Sequence, residues 1–358
     1  MRADRGGAAH TLGGMRLAFG ASFDVPAGYL NTPSIGIPPT LTTDAVRESV
    51  QRWGAGADHP ADFDEHVRRA RAAFAKLVGF DADDVAAGAS GSQVAGIVAA
   101  SVPDGSRVLV ARGEFTSLTF PFAAQAHRGV KVTEADLADI PSEVDGHDVV
   151  AVSVVQSANG AEVDLAALRE AAAAAGTRVL LDATQAVGWM PLDLGWADWV
   201  VAAAYKWMLC PRGAAWLAVR PDALDELVVH SANWYGGEDP WQSIYGLPLR
   251  LARSARRLDI SPVWLAQVGA TASLEYLSTL DMAEVRAHSV RLTDALLAEL
   301  DLPGTGSAIV SLELDDEQGR RLAEAGVRSG SRAGRTRLGF HLYNSEEDVE
   351  LVVRALKH

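Results

Sequence analysis

The chain contains a single cysteine, Cys210. One thiol cannot form an intrachain disulfide or a CxxC metal or redox pair, so a disulfide-stapled fold is excluded and a reducing cytosol is the expected compartment. Long hydrophobic runs are also missing. Nowhere do ~18 consecutive apolar residues suggest a membrane span, and no apolar stretch of the kind that directs export follows the arginines of MRADRGGAAHTLGGM. Basic residues are in the minority, 32 Lys and Arg against 46 Asp and Glu, for a formal net charge of -14. Nucleic acid and anionic membranes are met by clustered Lys and Arg, so neither is an expected partner, and a small molecule is. No GxGxxG fingerprint follows the first strand-like run, which argues against a nucleotide- or sugar-binding α/β protein. His127, His230 and His341 stand in no metal-like spacing with carboxylates, and no metal is implied.

What is present is ample core. At 358 residues the chain exceeds one ordinary domain of ~100 to 200 residues, and its hydrophobic fraction of 48% suits a large buried interior. Short β-branched runs recur at 107–111, 130–133, 149–155, 178–182, 199–204 and 214–219, with helical stretches at 92–100, 118–126 and 165–175 between them. Runs that are apolar on both faces fit a mostly parallel sheet covered by helices, hence an α/β doubly wound domain. From about Pro262 the pattern changes to long helices, alternating stretches at 308–314 and 336–342, and a last helix over 345–356. The expected organisation is a disordered tail over 1–14, a large domain over 15–261 and a smaller α+β domain over 262–358.

The segment VLLDATQAVGWMPLDLGWADWVVAAAYKWMLCPRG places Asp182, Gln185 and Lys206 just beyond the ends of two apolar runs. In a doubly wound sheet those ends form the ligand crevice. A carboxylate and a lysine placed there suit pyridoxal 5'-phosphate, whose ring nitrogen needs an acidic partner and whose aldehyde a lysine can hold as a Schiff base. Gln185 follows Asp182 by about one helical turn, so its amide could reach the cofactor's phenolic oxygen. Taken singly, an Asp after a strand is a helix cap and a Lys is a solvated charge; the joint spacing carries the reading.

These residues resemble the class V aminotransferase-like group of fold type I pyridoxal phosphate enzymes, which includes cysteine desulfurases, kynureninases and isopenicillin N epimerase. The likeness runs from GYLNTPSIGIPP at Gly28 to the C-terminal helix, and its most specific parts are DATQAVG, AAYKW and TRLGFHLYNSEEDVE. It implies a large domain with a mostly parallel seven-stranded sheet, and a homodimer whose active site is shared between subunits. It implies that Ser92, in GASGSQ, binds the cofactor phosphate together with a helix N-terminus, whose free N–H groups suit an anion. Read without the family, Ser92 is equally a helix cap. Phe115 falls where the family stacks a ring on the pyridine, with ordinary core as the plain alternative. Tyr205 falls where a hydroxyl could reach the phosphate. Ala203 stands where relatives often carry a phosphate-binding serine, so some phosphate contact must come from elsewhere. Ser261 matches a position that reaches the phosphate from the neighbouring subunit, and a cap before Pro262 is compatible with it. Arg337 matches the arginine that receives the substrate α-carboxylate through two parallel hydrogen bonds, with Arg332 and Arg335 close enough to compete. Asn31 and Ser157 fall on the substrate side of the pocket, Ser157 where relatives commonly carry asparagine.

With this cofactor, orientation decides which bond at Cα breaks, and Lys206 is the default base for the α-proton. A persulfide-forming desulfurase also needs a thiolate on a small-domain loop, and the corresponding segment Val327–Arg335 has no cysteine, so that activity is not expected. The expected reactions are a C–S β-elimination or an amino transfer on a specialised amino acid of secondary metabolism, with epimerisation as the alternative. A reading from another class is a binding or regulatory protein that kept the fold and lost turnover. Retention of Asp182, Gln185, Lys206 and Arg337 together counts against it.

Overall fold

The computed structural model describes residues 10–12 and 15–357. Three short antiparallel strands come first: β1 (His10–Leu12), β2 (Met15–Ala18) and β3 (Ala21–Phe23). Residues His10–Leu12, expected within a disordered tail, thus pair as a strand, and the remainder of that stretch, 1–9 and 13–14, lies outside the described residues. Helices α1 (Thr40–Gly54) and α2 (Asp64–Val78) follow.

The central sheet is built next, from β4 (Val85–Gly88), β5 (Arg107–Ala111), β6 (Lys131–Ala135), β7 (Val149–Ser153), β8 (Arg178–Asp182), β9 (Trp199–Ala203) and β10 (Ala215–Val219). Between them run α3 (Gly91–Ser101), α4 (Thr116–Ala123) and α5 (Leu165–Ala175). The strand order is β4-β10-β9-β8-β7-β5-β6, parallel except that β10 runs against both its neighbours. This is the expected α/β fold with a mostly parallel seven-stranded sheet. The six β-branched runs became β5 to β10; the seventh strand, β4, reads VAAG and carries no such run.

Side-chain alternation explains the two helix layers. Val108 and Val110 join one apolar cluster with Val94 and Ile97 of α3 and Phe122 of α4, whereas Leu109 between them joins the other, with Phe74 of α2 and Leu168 of α5. Trp216 on β10 is fully buried and stacks on Phe74 at 5.1 Å between ring centres, one of the large aromatic contributions to the core.

The remaining elements are α6 (Trp264–Leu277), α7 (Met282–Glu299), β11 (Ile309–Leu312), α8 (Asp316–Glu324), β12 (Gly330–Arg332), β13 (Arg335–Gly339) and α9 (Glu346–Lys357). Helix α6 packs against α1 and α2, while β11, β13 and β12 form an antiparallel sheet in that order. Among the described residues no helix is long and apolar enough to cross a membrane.

Two buried ion pairs fasten distant segments. Arg71 of α2 grips Asp259 through both terminal nitrogens, 3.1 and 2.6 Å, and Asp259 also accepts the N–H of Ala87 on the edge strand β4. Arg16 of β2 grips Asp348 of α9 at 2.5 and 2.8 Å, and Asp348 further accepts from the N–H groups of Gly28 and Ser345 and from the Asn344 amide. Removing one partner of such a pair strands the other charge in the interior. Asp348→Ala is therefore expected to lower unfolding free energy by about 3–5 kcal/mol in urea titrations, whereas Glu65→Ala, which removes half of the exposed Glu65–Arg68 pair, leaves the midpoint nearly unchanged.

Candidate functional site

The strand ends bring Ser92, Phe115, Ser157, Asp182, Gln185, Tyr205 and Lys206 to one edge of the sheet, whereas Asn31, Arg337 and Ser261 do not line the cleft there. That cleft holds about 600 Å³ of space continuous with solvent. Ala89, Ser90, Gly91 and Ser92 enter it after β4, Phe115 and Ser117 after β5, and Ser153 and Ser157 at the end of β7. Asp182, Thr184 and Gln185 come from the end of β8, Ala203, Tyr205 and Lys206 from the end of β9, and Arg212 from just before β10.

Lys206 is buried, and among the described residues its ammonium has no hydrogen-bond acceptor. Its Nζ lies 5.2 Å from the centre of the Phe115 ring and 5.8 Å from that of Tyr205. Burial pulls its pKa down to about 8; the nearby carboxylate of Asp182 opposes the fall, and Arg337, Arg332 and Arg212 add to it. The lysine loop is held from below by two glycines. A β-carbon on Gly36 would overlap the Lys206 carbonyl, and one on Gly188, at φ +108°, would overlap that of Trp207. The final glycine of DATQAVG is required by that contact.

Asp182 is fully buried and accepts the N–H of Thr184 at 2.8 Å. Burial pushes its carboxyl above the ordinary range, so the ionised form calls for a cation beside it. Gln185 departs from expectation. Its amide nitrogen donates to the carbonyl of Pro33 at 3.0 Å and to Ser157 Oγ at 3.1 Å, and its oxygen accepts from the Trp207 indole at 2.7 Å. Those bonds use both of its protons, so the structure gives this amide protein partners, and it bolts the residue after Lys206 in place.

Arg337 is 0% exposed. It donates from Nη1 to the carbonyl and Oγ of Ser157, at 2.5 and 2.9 Å, and from Nη2 to Ser34 Oγ at 2.8 Å, while its Nε has no acceptor. No carboxylate faces it among the described residues, and burial together with Arg332 lowers its pKa to about 10. Asn31 lies on the same side. Its buried Oδ1 has no donor, and the site where Gly330 would carry a β-carbon lies 2.9 Å from that oxygen and 3.5 Å from Arg337 Nη2.

At the opposite end, α3 points its N-terminus into the cleft. Ser90, not Ser92, caps it by accepting the N–H of Gln93; Ser92 lies two residues further on with an exposed side chain free to meet a ligand. Phe115 stands at the cap position of α4, is 38% exposed and lines the cleft, which removes the ordinary-core alternative. Ser261 is exposed and lies outside the cleft, next to the backbone bond from Ile260 to Ala87; the cap position of α6 is Val263, so Ser261 caps nothing there.

Three residues escaped the sequence reading. Arg212 stacks its guanidinium over Tyr205 at 4.9 Å beside the α3 terminus. Ser90 holds the cap. Glu114, raised above its ordinary range by burial, accepts from the N–H of Phe115, the N–H and hydroxyl of Ser153 and the Gln156 amide, at 2.6–2.8 Å. It ties the Phe115 turn to the end of β7. An acidic residue directly before a strand-end aromatic was the available signal for Glu114; for Arg212 only the PRG turn before β10 offered one.

Comparison with known proteins places this geometry. The family model described as aminotransferase class-V matches residues 47–352, and the chain belongs to that family. It is 27% identical over 307 residues to the uncharacterized aminotransferase YcbU of Bacillus subtilis, covering 80% of this chain and 81% of that protein. It is 27% identical over 302 residues to a kynureninase of Deinococcus radiodurans, covering 77% and 72%. The solved cysteine desulfurase of Thermococcus onnurineus shares the fold at a TM-score of 0.80 and 19% identity, covering 92% of this chain and 94% of that one.

Pyridoxal 5'-phosphate is the cofactor. The cleft fits it on its own chemistry: a buried carboxyl lacking a cationic partner at Asp182, a buried unbonded amine at Lys206, and a helix N-terminus with Ser90, Ser92 and Arg212 around it for an anion. Because capture requires the neutral amine, the rate at which the cofactor-free protein takes up pyridoxal 5'-phosphate is expected to rise with pH and level off above about 8, where an ordinary lysine would keep gaining up to ~10.4. Stopped-flow absorbance in the near-visible measures this, and Lys206→Ala is expected to show no lysine-dependent band.

Proposed function

We propose that this chain is a pyridoxal 5'-phosphate enzyme that takes the α-proton from an L-amino acid or amino-acid conjugate, with C–S β-elimination or amino transfer as the outcome. The observation that carries the substrate class is Arg337. A buried guanidinium with no acidic partner is costly, and Arg337 stands directly behind the cleft wall on Ser157, with an unpaired Nε, so that a carboxylate taking the place of the serine contacts would satisfy it. When bound, the cofactor supplies an electron sink that lets a bond at the amino acid's Cα break heterolytically.

The chain's own residues would then divide the work. Lys206 would hold the cofactor and Asp182 would face its ring nitrogen, with Phe115 beside the ring. Ser92, Tyr205 and Arg212 would hold the phosphate. Arg337, with Asn31 and Ser157 around it, would seat the α-carboxylate and so fix which Cα bond is presented. Lys206 Nζ, released as a neutral amine when substrate takes its place on the cofactor, would take the α-proton. Substrates with a sulfur leaving group on Cβ would lose it after the proton is gone; others would leave as the keto acid, their amino group going to a second keto acid as co-substrate.

Sulfur transfer to a thiol of this protein is not part of the proposal. Cys210 is buried, its thiol donates to the Met208 carbonyl, and burial pushes its pKa up, all of which favours packing over reactivity. We further propose that the site is completed in a homodimer. Ser261 sits exposed beside the β4 end, and Tyr245 and Leu247 are 87% and 90% exposed in an apolar stretch nearby in sequence, a surface suited to a second copy.

Incubation of the holoenzyme with S-substituted L-cysteines is expected to release pyruvate and ammonia together, whereas amino transfer gives a keto acid without free ammonia; neither product across a broad amino-acid panel overturns the proposal. Arg337→Gln is expected to lower kcat/KM by about ten- to a hundredfold. Sedimentation is expected to give twice the chain mass, and a Tyr245→Asp, Leu247→Asp double variant to sediment as a monomer; a monomeric wild type removes the dimer.

A further inference from the structure

Arg332 and Arg337 lie on one face of a hairpin. Strand β12 pairs with β13 so that Gly330 is opposite Arg337 and Arg332 is opposite Arg335. All four share a side of the ribbon, and Arg332 is the diagonal neighbour of Arg337, about 7–8 Å away. The two-residue turn between the strands, Ala333 at φ 50° and Gly334 at φ 74°, has both residues left-handed and fixes that register.

The arginines on this face differ in what they hold. Arg335 is satisfied by the Glu313 carboxylate at 3.1 Å and by the hydroxyl and carbonyl of Ser311. Arg337 holds Ser157 and Ser34. Arg332 is half-buried and makes one bond, from Nη1 to the carbonyl of the adjacent Ser331 at 2.7 Å; among the described residues it meets no carboxylate. Most of its five donors are therefore unused.

Charge balance around Lys206 makes these unused donors informative. In a protein of net charge -14, the groups acting on Lys206 are one carboxylate, Asp182, and three arginines, Arg337, Arg332 and Arg212. Like charges this close oppose one another and lower the protein's stability unless anions join them. On the reading above, the phosphate is matched by Arg212 with the α3 terminus, and the α-carboxylate by Arg337. Arg332 is left over, on the same hairpin face as Arg337.

We propose that Arg332 receives a second carboxylate on the substrate, so that the site selects amino acids carrying a distal anionic group over neutral ones of the same length. This rests on Arg337 as the α-carboxylate anchor. The test titrates the holoenzyme with L-glutamate and L-2-aminoadipate against L-glutamine and L-norvaline, reading dissociation constants from the change in cofactor absorbance. At least one dicarboxylic acid is expected to bind about ten- to a hundredfold more tightly than the neutral ligands. Arg332→Gln is expected to abolish that advantage, leaving acidic and neutral ligands equally bound, and Arg332→Lys to keep part of it. Equal binding of acidic and neutral ligands by the wild type, or an advantage that survives Arg332→Gln, overturns the assignment while leaving Arg337 as anchor. An Arg337→Gln variant that binds all four as the wild type does, or a wild type perturbed by none of them, overturns both readings.

Discussion

Asp348 is where the ends of the chain meet. It accepts two bonds from Arg16, one each from the backbone of Gly28 and Ser345, and one from Asn344, with no exposure to water. A carboxylate so buried is tolerable only with all of these donors in place, so the contact specifies a single placement of the N-terminal segment against α9. From that anchor the segment is stitched onward: Leu30 donates to the Arg328 carbonyl and accepts from Gly339, and Gly36 donates to the carbonyl of Tyr205. Along the way it offers the Pro33 carbonyl to Gln185 and the Ser34 hydroxyl to Arg337. Lys206, Gln185 and Arg337 are thus aligned by a stretch that contributes little to the sheet.

On the proposed reading, the substrate carboxylate and the lysine share one field. Arg337 is among the cations that depress the Lys206 pKa. In the cofactor-free protein that field favours the neutral amine that captures pyridoxal 5'-phosphate, and a carboxylate seated on Arg337 would weaken it.

How far this could be read from the sequence depended on whether a feature was set locally. The strands β5 and β7 to β10 were legible because burial on both faces demands uninterrupted β-branched runs, and the ends of β8 and β9 then located Asp182 and Lys206. Strand β4 was not, because VAAG is short, mostly alanine and glycine, and held by β10 and Asp259 instead of by its own pattern. The cap of α3 was placed two residues late, since either serine in SGS fits the spacing and only the backbone angles choose Ser90. Gln185 was legible as a site residue but not in its bonding, which depends on Pro33 and Trp207, 152 and 22 residues away.

On the proposed reading, Ala203 stands where a different kind of contact replaces a hydroxyl. A serine expected there would have offered a hydroxyl toward the phosphate. With alanine, the sheet edge stays small: a β-carbon on Gly91 would sit 3.9 Å from that of Ala203, ordinary contact distance, so the first turn of α3 lies directly over the strand end. Its unpaired N–H groups are thereby brought into the cleft, and Arg212, stacked on Tyr205, adds a full positive charge that a serine lacks. On the proposed reading the anion is then held by a helix terminus and a guanidinium. A hydroxyl can be dispensed with where the helix comes this close, and the small residues Gly91 and Ala203 are what let it.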